Sequence, residues 1–478
     1  MLQQKIGKYR WTICGLLFFA TTINYLDRQV LSLTWKDYIV PEFHWTDSAY
    51  GDITSIFSLV YAFSMLFAGK FIDWIDTKKG FMYAIFFWSI GALLHAYCGI
   101  ATSGVLKGTW FVGFETAKEN LKTVTDISKV INTSVAFFIV ARIVLAIGES
   151  GNFPAAIKTT AEYFPKKDRG FATSIFNSGA TIGAMLAPIT IPYIAEAMGW
   201  EMTFIIIGAL GFLWMFFWYI MYNKPHLHSK VNKAELEYIQ QDDHDKTVDE
   251  RAVDAAKKLS LFKAFQYKQT WAFAVGKFMT DGVWWFFLFW MPAYLKDVYG
   301  LSGTQAAPYL TVLYAITMLS LIGGWLPTYF IAKKQMNPYN GRMLAMLIFA
   351  FFPLLALLAQ PSGNISIWLP VIIIGIAGAA HQSWSANIFS TVSDMFPKYA
   401  VATVTGIGGM AGGLGSYVIN KGSGKLFDYA KETNMSFMGF SGKPAGYFIV
   451  FSICAVAYLI AWIIMKRLVP KYKVITDL

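Results

Sequence analysis

Charge is what this chain has least of. Only 14% of its 478 residues are Asp, Glu, Lys or Arg, against about 25% in an ordinary soluble domain. That scarcity excludes a water-facing surface over most of the chain. Cysteine is scarce too: Cys14, Cys98 and Cys454 stand in separate apolar segments, which excludes a disulfide framework and the paired spacing of a zinc site. No glycine cluster is followed by Gly-Lys-Ser/Thr, which excludes a phosphate loop. No Ser/His/Asp order points to a membrane-embedded enzyme, and no metal or other cofactor is expected. The net charge of +11 does not point to nucleic acid, because the basic residues lie in loops between apolar segments. His226 and His228, in a polar loop, read as solvated.

What is present is apolar: 56% hydrophobic and 17% aromatic. Runs of about 20 mostly apolar residues, enough to cross a bilayer, recur along the chain. They are continuous and do not alternate, which argues for helices over a β-barrel. The expected fold is an all-α polytopic membrane protein with twelve transmembrane helices in two six-helix bundles. The spans fall at about 11–33, 50–70, 80–100, 135–158, 171–194, 202–222, 269–295, 306–331, 343–360, 365–392, 401–420 and 445–467. The basic start (Lys5, Lys8, Arg10) precedes an apolar run too long for a signal peptide and without a small-residue cleavage site, so it reads as a retained first helix. Residues 1–222 form one bundle, with an outer insert at 101–134. A cytoplasmic linker, 223–268, carries a short surface helix at AELEYIQQDDHD, and 269–478 form the second bundle.

Lys78, Lys79, Lys166, Lys167, Arg169, Lys333, Lys334 and Arg342 occupy loops on one side, while loops near 195–201 and 361–366 hold no Lys or Arg. The positive-inside pattern then places both termini in the cytoplasm of a cell whose inner membrane holds the chain. The halves echo each other. EYFPKKDRG (162–170) and DMFPKYAVA (394–402) share acid-X-Phe-Pro-Lys at equivalent places in a six-plus-six layout, and repeated halves around a mid-membrane site describe many secondary transporters. Small-residue spacings, Gly179/Gly183 and Gly409/Gly413, permit close helix packing.

Against this background a few charges stand out. Asp27 and Arg28 lie within the first span, and Arg142 and Glu149 within the fourth. Each costs about 2.5–3.5 kcal/mol on insertion scales, and such groups mark substrate or proton paths. From helix rise, Asp27 and Arg28 lie roughly 24 Å from the inner end of span one, and Arg142 roughly 10 Å below the outer end of span four. They share a level, so Asp27 is expected to face Arg142 in at least one state. Glu149, seven residues on, points from the same helix face as an unpaired acid about 10 Å deeper. The set suits proton-coupled anion transport. A guanidinium grips a carboxylate bidentately, and an acid beside it changes its proton affinity with hydration. Buried ion pairs that merely lock helices are the competing reading. Lys277 and Asp281, four apart in span seven, form either a structural pair or a substrate contact. Trp284-Trp285-Phe286-Phe287 reads as lipid-facing or interfacial, with at least one ring expected to line the cavity. HQSWSANIF (381–389) is unusually polar for a span. Gln382, Ser383, Trp384 and Asn387, with Tyr25, Tyr61, Asn177 and Ser178, would suit a hydroxyl-rich substrate, or bond helix to helix.

GKFIDWIDTKK (69–79) resembles the loop motif after span two of the major facilitator superfamily, matching at Gly69, Asp73, Lys78 and Lys79, with Trp74 for the usual basic residue and Asp76 for the usual Gly. NYLDRQVLS (24–32), ARIVLAIGESGNFPAAIK (141–158), KFMTDGVWWFFLFWMPAYL (277–295) and HQSWSANIFSTVSDMFPK (381–398) together resemble the hexuronate transporters of the anion:cation symporter family. The resemblance implies the major facilitator fold and proton-coupled uptake of glucuronate or galacturonate by a monomer in contact with membrane lipid. It implies that Arg28 contacts the substrate carboxylate, that Asp27 and Glu149 are the protonatable acids with Arg142 as partner, and that Tyr25, Tyr61 and the polar part of span ten line the sugar site. Ala180 stands where a galactonate-type pattern places Gln. An organic-anion exchanger and a symporter for another sugar acid, such as an aldonate, remain alternatives.

Overall fold

The computed structural model describes residues 5–241 and 261–475. Each of the twelve apolar segments falls on a helix or a broken helix: α1 (Tyr9–Thr34), α2 (Asp47–Ile75), α3 (Thr77–Ala96), α4 (Ile127–Glu149), α5 (Lys166–Met198), α6 (Trp200–Met221), α7 (Lys268–Tyr299), α8 (Gly303–Ile316), α9 (Pro338–Phe351), α10 (Trp368–Met395), α11 (Lys398–Glu432) and α12 (Lys443–Leu468). The third segment bends by 52° into Cys98–Lys107. The fourth breaks at Ser150-Gly151 and resumes as Asn152–Tyr163, and the eighth passes through a 3-10 turn at Thr317–Leu321 into Ile322–Ala332.

Eight of these segments are long and apolar enough to cross a membrane, and the bent third makes a ninth. The remaining three are α1, α7 and α11. Their middles are the polar ones: Asp27-Arg28, Lys277 with Asp281, and the glycine-rich 405–416. A hydropathy average falls where charged residues and glycine displace aliphatic side chains.

Most of 101–134 is helical. Cys98–Lys107 and the start of α4 enclose a helix at Phe114–Lys122, whose Lys118 pairs with Glu201 at 3.0 Å. In the linker, Lys233–Ile239 is helical and capped by Asn232, which accepts from the Glu235 N–H at 2.8 Å. It is not a free surface helix: Glu235 is buried and accepts from the backbone N–H of Tyr9 and Arg10 and from the Arg10 guanidinium, pinning the helix to the start of α1. The linker call at 242–260, including the end of AELEYIQQDDHD, lies outside the described residues. His226 is exposed as expected. His228 is half-buried, bonded to the Met221 carbonyl at 3.0 Å and packed on Tyr9.

Glycine sets how closely helices cross. A Cβ on Gly179 or Gly183 would lie 2.5 Å from a carbonyl oxygen of α1. One on Gly148 would lie 2.2 Å from the Trp88 nitrogen of α3, so α4 can only approach α3 this closely with glycine there. Gly413 presses on Ala62 and Ser58 across the boundary between the halves, whereas Gly409 makes only ordinary contact with Met65.

The start of α1 and the end of α12 lie at one end of the molecule. Lys36, just past α1, pairs with Asp297 near the end of α7, so the two helices run in parallel. At the far end the halves are sealed. Lys36 bridges Asp47 (2.6 Å) and Asp297 (3.1 Å), Lys443 bonds both acids, Lys296 pairs with Asp37 (3.1 Å), and Asp428 caps the first N–H groups of α2. Beneath this layer Trp35 stacks on Tyr50 at 4.0 Å, and the Tyr50 hydroxyl donates to the Phe289 carbonyl. Toward the terminal end Phe67, Phe71 and Phe171 are exposed.

Candidate substrate and coupling site

The charged cluster of the first half is built by α1 and α4, with α2 and α7 closing around it. On α1, Tyr25 and Arg28 are three residues apart and share a face, while Asp27 points about 100° away. On α4, Arg142 and Glu149 are two turns apart, and Glu149 is the last residue before the Ser150-Gly151 break. Arg28 Nε and Nη2 both donate to Glu149 Oε2, at 2.9 and 2.7 Å. Both side chains are almost completely buried.

Four aromatic rings surround the Arg28 guanidinium. Tyr25, Tyr61 and Trp285 each lie 4.9 Å from its carbon, and Phe57 lies at 5.7 Å. Cation–π contact of this kind stabilises a desolvated cation by about 2 kcal/mol. Trp285 comes from the second half, so the cage spans the boundary between the bundles. Phe57 also lies 5.2 Å from the Arg142 guanidinium and so sits between the two cations.

The expected facing of Asp27 and Arg142 takes a different form. Both are buried, and neither carboxylate oxygen of Asp27 nor any nitrogen of the Arg142 guanidinium has a hydrogen-bond partner. They lie within electrostatic reach of each other but do not pair. Glu149, expected as the unpaired acid, is the paired one, with Arg28. Arg28 reaches across to bond Glu149, while Asp27 comes within electrostatic reach of Arg142 and Glu149 without bonding either.

The remaining expected residues divide. Tyr25 and Tyr61 lie on Arg28, half-buried. Asn177 and Ser178 are exposed; the Ser178 hydroxyl donates to the Ile175 carbonyl, and neither residue bonds to the four charges. On α10, Gln382 is half-buried, but Ser383 and Asn387 are turned toward the eighth segment. Asn387 Nδ2 donates to the Gly323 carbonyl at 2.9 Å, and Ser383 donates to the Ala379 carbonyl. Trp384 is fully buried against Tyr458, its indole N–H unpartnered. His381 bonds the Tyr458 hydroxyl at 2.8 Å and stacks on Trp284. Lys277 pairs with Asp281 at 2.7 Å, and its ammonium lies 4.3 Å from the Phe389 ring.

Three residues escaped the sequence reading. Phe57 has no signal, being one aromatic among many. Trp285 is marked only as one of a run. His95, fully buried and bonded through Nδ1 to the Gly91 carbonyl, is an ionisable group in an apolar span and could have been singled out on that ground. Among the described residues no three His, Cys, Asp or Glu side chains converge on a point where a metal could sit.

Residues 17–419 match the Major Facilitator Superfamily. The chain is 27% identical over 434 residues to the hexuronate transporter of Escherichia coli (strain K12), covering 89% of each. It is 26% identical to the galacturonate transporter of Dickeya chrysanthemi, over 72% of this chain and 88% of that protein. Among solved structures it is similar to a bacterial homolog of the human lysosomal transporter Spinster, in an inward-facing and occupied conformation, with a TM-score of 0.67 and 18% identity over 98% of this chain and 99% of the other. That likeness establishes the shared fold. The chain belongs to the major facilitator superfamily, a family of multi-pass membrane transporters and not of enzymes.

Proposed function

We infer that the protein takes up a sugar acid, a hexuronate in the first place, together with a proton, by alternating access. The observation that carries this reading is the Arg28–Glu149 pair, buried in an aromatic cage at the boundary between the halves. When the site is empty, Glu149 supplies the negative charge facing Arg28. A proton taken up by Glu149 neutralises it and frees both guanidinium edges for a substrate carboxylate, which Arg28 then grips bidentately. One negative charge faces Arg28 in either case, so anion and proton enter as a pair. Asp27 is a second buried acid without a partner, and Arg142 lies within reach of both acids and tunes how readily each gives up its proton. Tyr25, Tyr61 and Trp285 offer ring faces and hydroxyls to the sugar.

The positive-inside pattern supports cytoplasmic termini in a bacterial-type inner membrane. The sealed far end then faces outward, and the halves rock about the central site to move the substrate. Sugar-acid transport by the relatives named above supports the substrate class. An organic-anion exchanger would want a second free cation, and Lys277 is held by Asp281.

The test is uptake into proteoliposomes of labelled galacturonate, glucuronate, galactonate and gluconate, with and without an acidic outside. Glu149→Gln is expected to abolish gradient-driven accumulation while substrate exchange across the membrane survives. Accumulation by that variant with an unchanged pH dependence would overturn the coupling role. Substrate uptake by the native protein without proton movement would favour the exchanger.

A further inference from the structure

Lys277 and Asp281 are charges in the second half that the coupling scheme leaves unused. They lie one turn apart on α7, and Trp285 lies one turn further along the same face. Trp285 is the ring that touches Arg28 from the second half. The line from Trp285 through Asp281 to Lys277 therefore leads away from Arg28 toward the terminal end, about 6 Å per turn. Asp281 is within electrostatic reach of Tyr25, which itself lies 4.9 Å from the Arg28 guanidinium. Its side chain keeps 15% of its surface exposed, whereas that of Lys277 keeps 5%. Asp281 is set in place by α11: a Cβ at Gly412 would fall 2.2 Å from Asp281 Oδ2, so bare backbone is what lets the carboxylate rest there.

A six-carbon sugar acid is roughly 6 Å long over its five C–C bonds. Anchored by one carboxylate at Arg28, its other end reaches the level of Asp281. A monocarboxylate brings hydroxyls there, which donate to Asp281. A dicarboxylate brings a second negative charge against a carboxylate whose only described cation is already engaged. We propose that Asp281, by holding Lys277, is the specificity filter of the site: it admits sugar acids with one carboxylate and turns away those with two. This deepens the sugar-acid reading and rests on it.

The experiment compares initial uptake of labelled galacturonate and galactarate by the full-length protein in proteoliposomes under an inward proton gradient. Asp281→Asn is expected to raise the galactarate-to-galacturonate ratio by about tenfold or more, since the repulsive element is gone and Lys277 is free. Lys277→Gln combined with Asp281→Asn is expected to bring the ratio back to within about threefold of native, because the second carboxylate then finds no cation. Where Asp281→Asn does not fold, Gly412→Ala, which displaces the carboxylate without removing it, is expected to move the ratio the same way. An unchanged ratio with galacturonate still carried overturns the filter and leaves the transport reading standing. So does an equal loss of both substrates, which marks the pair as structural, or a native protein that prefers galactarate. A native protein that carries neither acid overturns the transport reading itself.

Discussion

The two halves share a fold and differ in what they bury. In the middle of its spans the first encloses four formal charges among the described residues, Asp27, Arg28, Arg142 and Glu149, of which only Arg28 and Glu149 bond each other. The second holds one short-range pair, Lys277–Asp281, and otherwise neutral groups such as Ser383, Asn387 and the His381–Tyr458 contact, most of them tied to backbone or to each other. A buried group without a partner has more than one arrangement open to it, and a satisfied one is held. The first half is therefore where protonation can change the structure, and the second where shape and hydrogen bonding hold it.

The largest effect that tests this contrast is the loss of a buried cation on each side. Arg28→Gln leaves Glu149 buried without its bonded cation, at a cost of about 3–5 kcal/mol, and removes the proposed substrate anchor. It is expected to abolish uptake and to lower the thermal midpoint of the purified protein by several degrees. Lys277→Gln leaves Asp281 with 15% of its side chain exposed, so solvent screens it and the expected cost is roughly 1–2 kcal/mol. Melting curves of the two variants in the same detergent settle the point. Equal losses would erase the distinction between the halves.

A smaller effect comes from the neutral groups. Asn387→Ala removes the bond to the Gly323 carbonyl beside the broken eighth segment. It is expected to lower stability by about 1–2 kcal/mol and to leave the pH dependence of uptake as in the native protein. A shifted pH profile for Asn387→Ala would mean that the second half also takes part in coupling.

What the sequence shows of this molecule, and what it hides, follows the same contrast. Apolar length and loop charge locate the twelve segments, and the rarity of charge in them picks out Asp27, Arg28, Arg142 and Glu149. Helix rise gives each an expected level. It does not fix azimuth between helices, and for neighbours such as Asp27 and Arg28 a rotation of about 100° decides which one bonds across to α4. Glu149 sits at a helix break whose shape depends on Gly148 packing on α3. That long-range contact is invisible in the local pattern. On α10 the polar run is plain to see, but Ser383 and Asn387 turn to the eighth segment because its backbone is irregular there and leaves carbonyls to be satisfied. Composition also misreads 101–134, where short helices with mixed faces look like loop.

The smallest expected effect on transport concerns an acid of the first half that lies outside the bundle. Glu42, at the sealed end, accepts from the Trp200 indole N–H at 2.9 Å. Burial is the main force pushing its carboxyl up from 4.5 to about 7; Glu201 and Glu115 add to it, and the Trp200 bond and Lys118 oppose it. Between about pH 4.5 and 7 the folded chain keeps a proton that the unfolded chain has released, so stability falls as pH rises through that window and levels off above it. Glu42→Gln keeps an acceptor for Trp200 and stays neutral. It is expected to match the native protein near pH 4.5 and to exceed it by on the order of 2 kcal/mol at pH 8. Its uptake should keep the native pH profile, since Glu42 is remote from Arg28 and its cage. Thermal midpoints against pH test the first part, where parallel curves for the two proteins would refute it. An altered uptake profile would refute the second, and would extend the proposed proton coupling from the four mid-span charges to the sealed end.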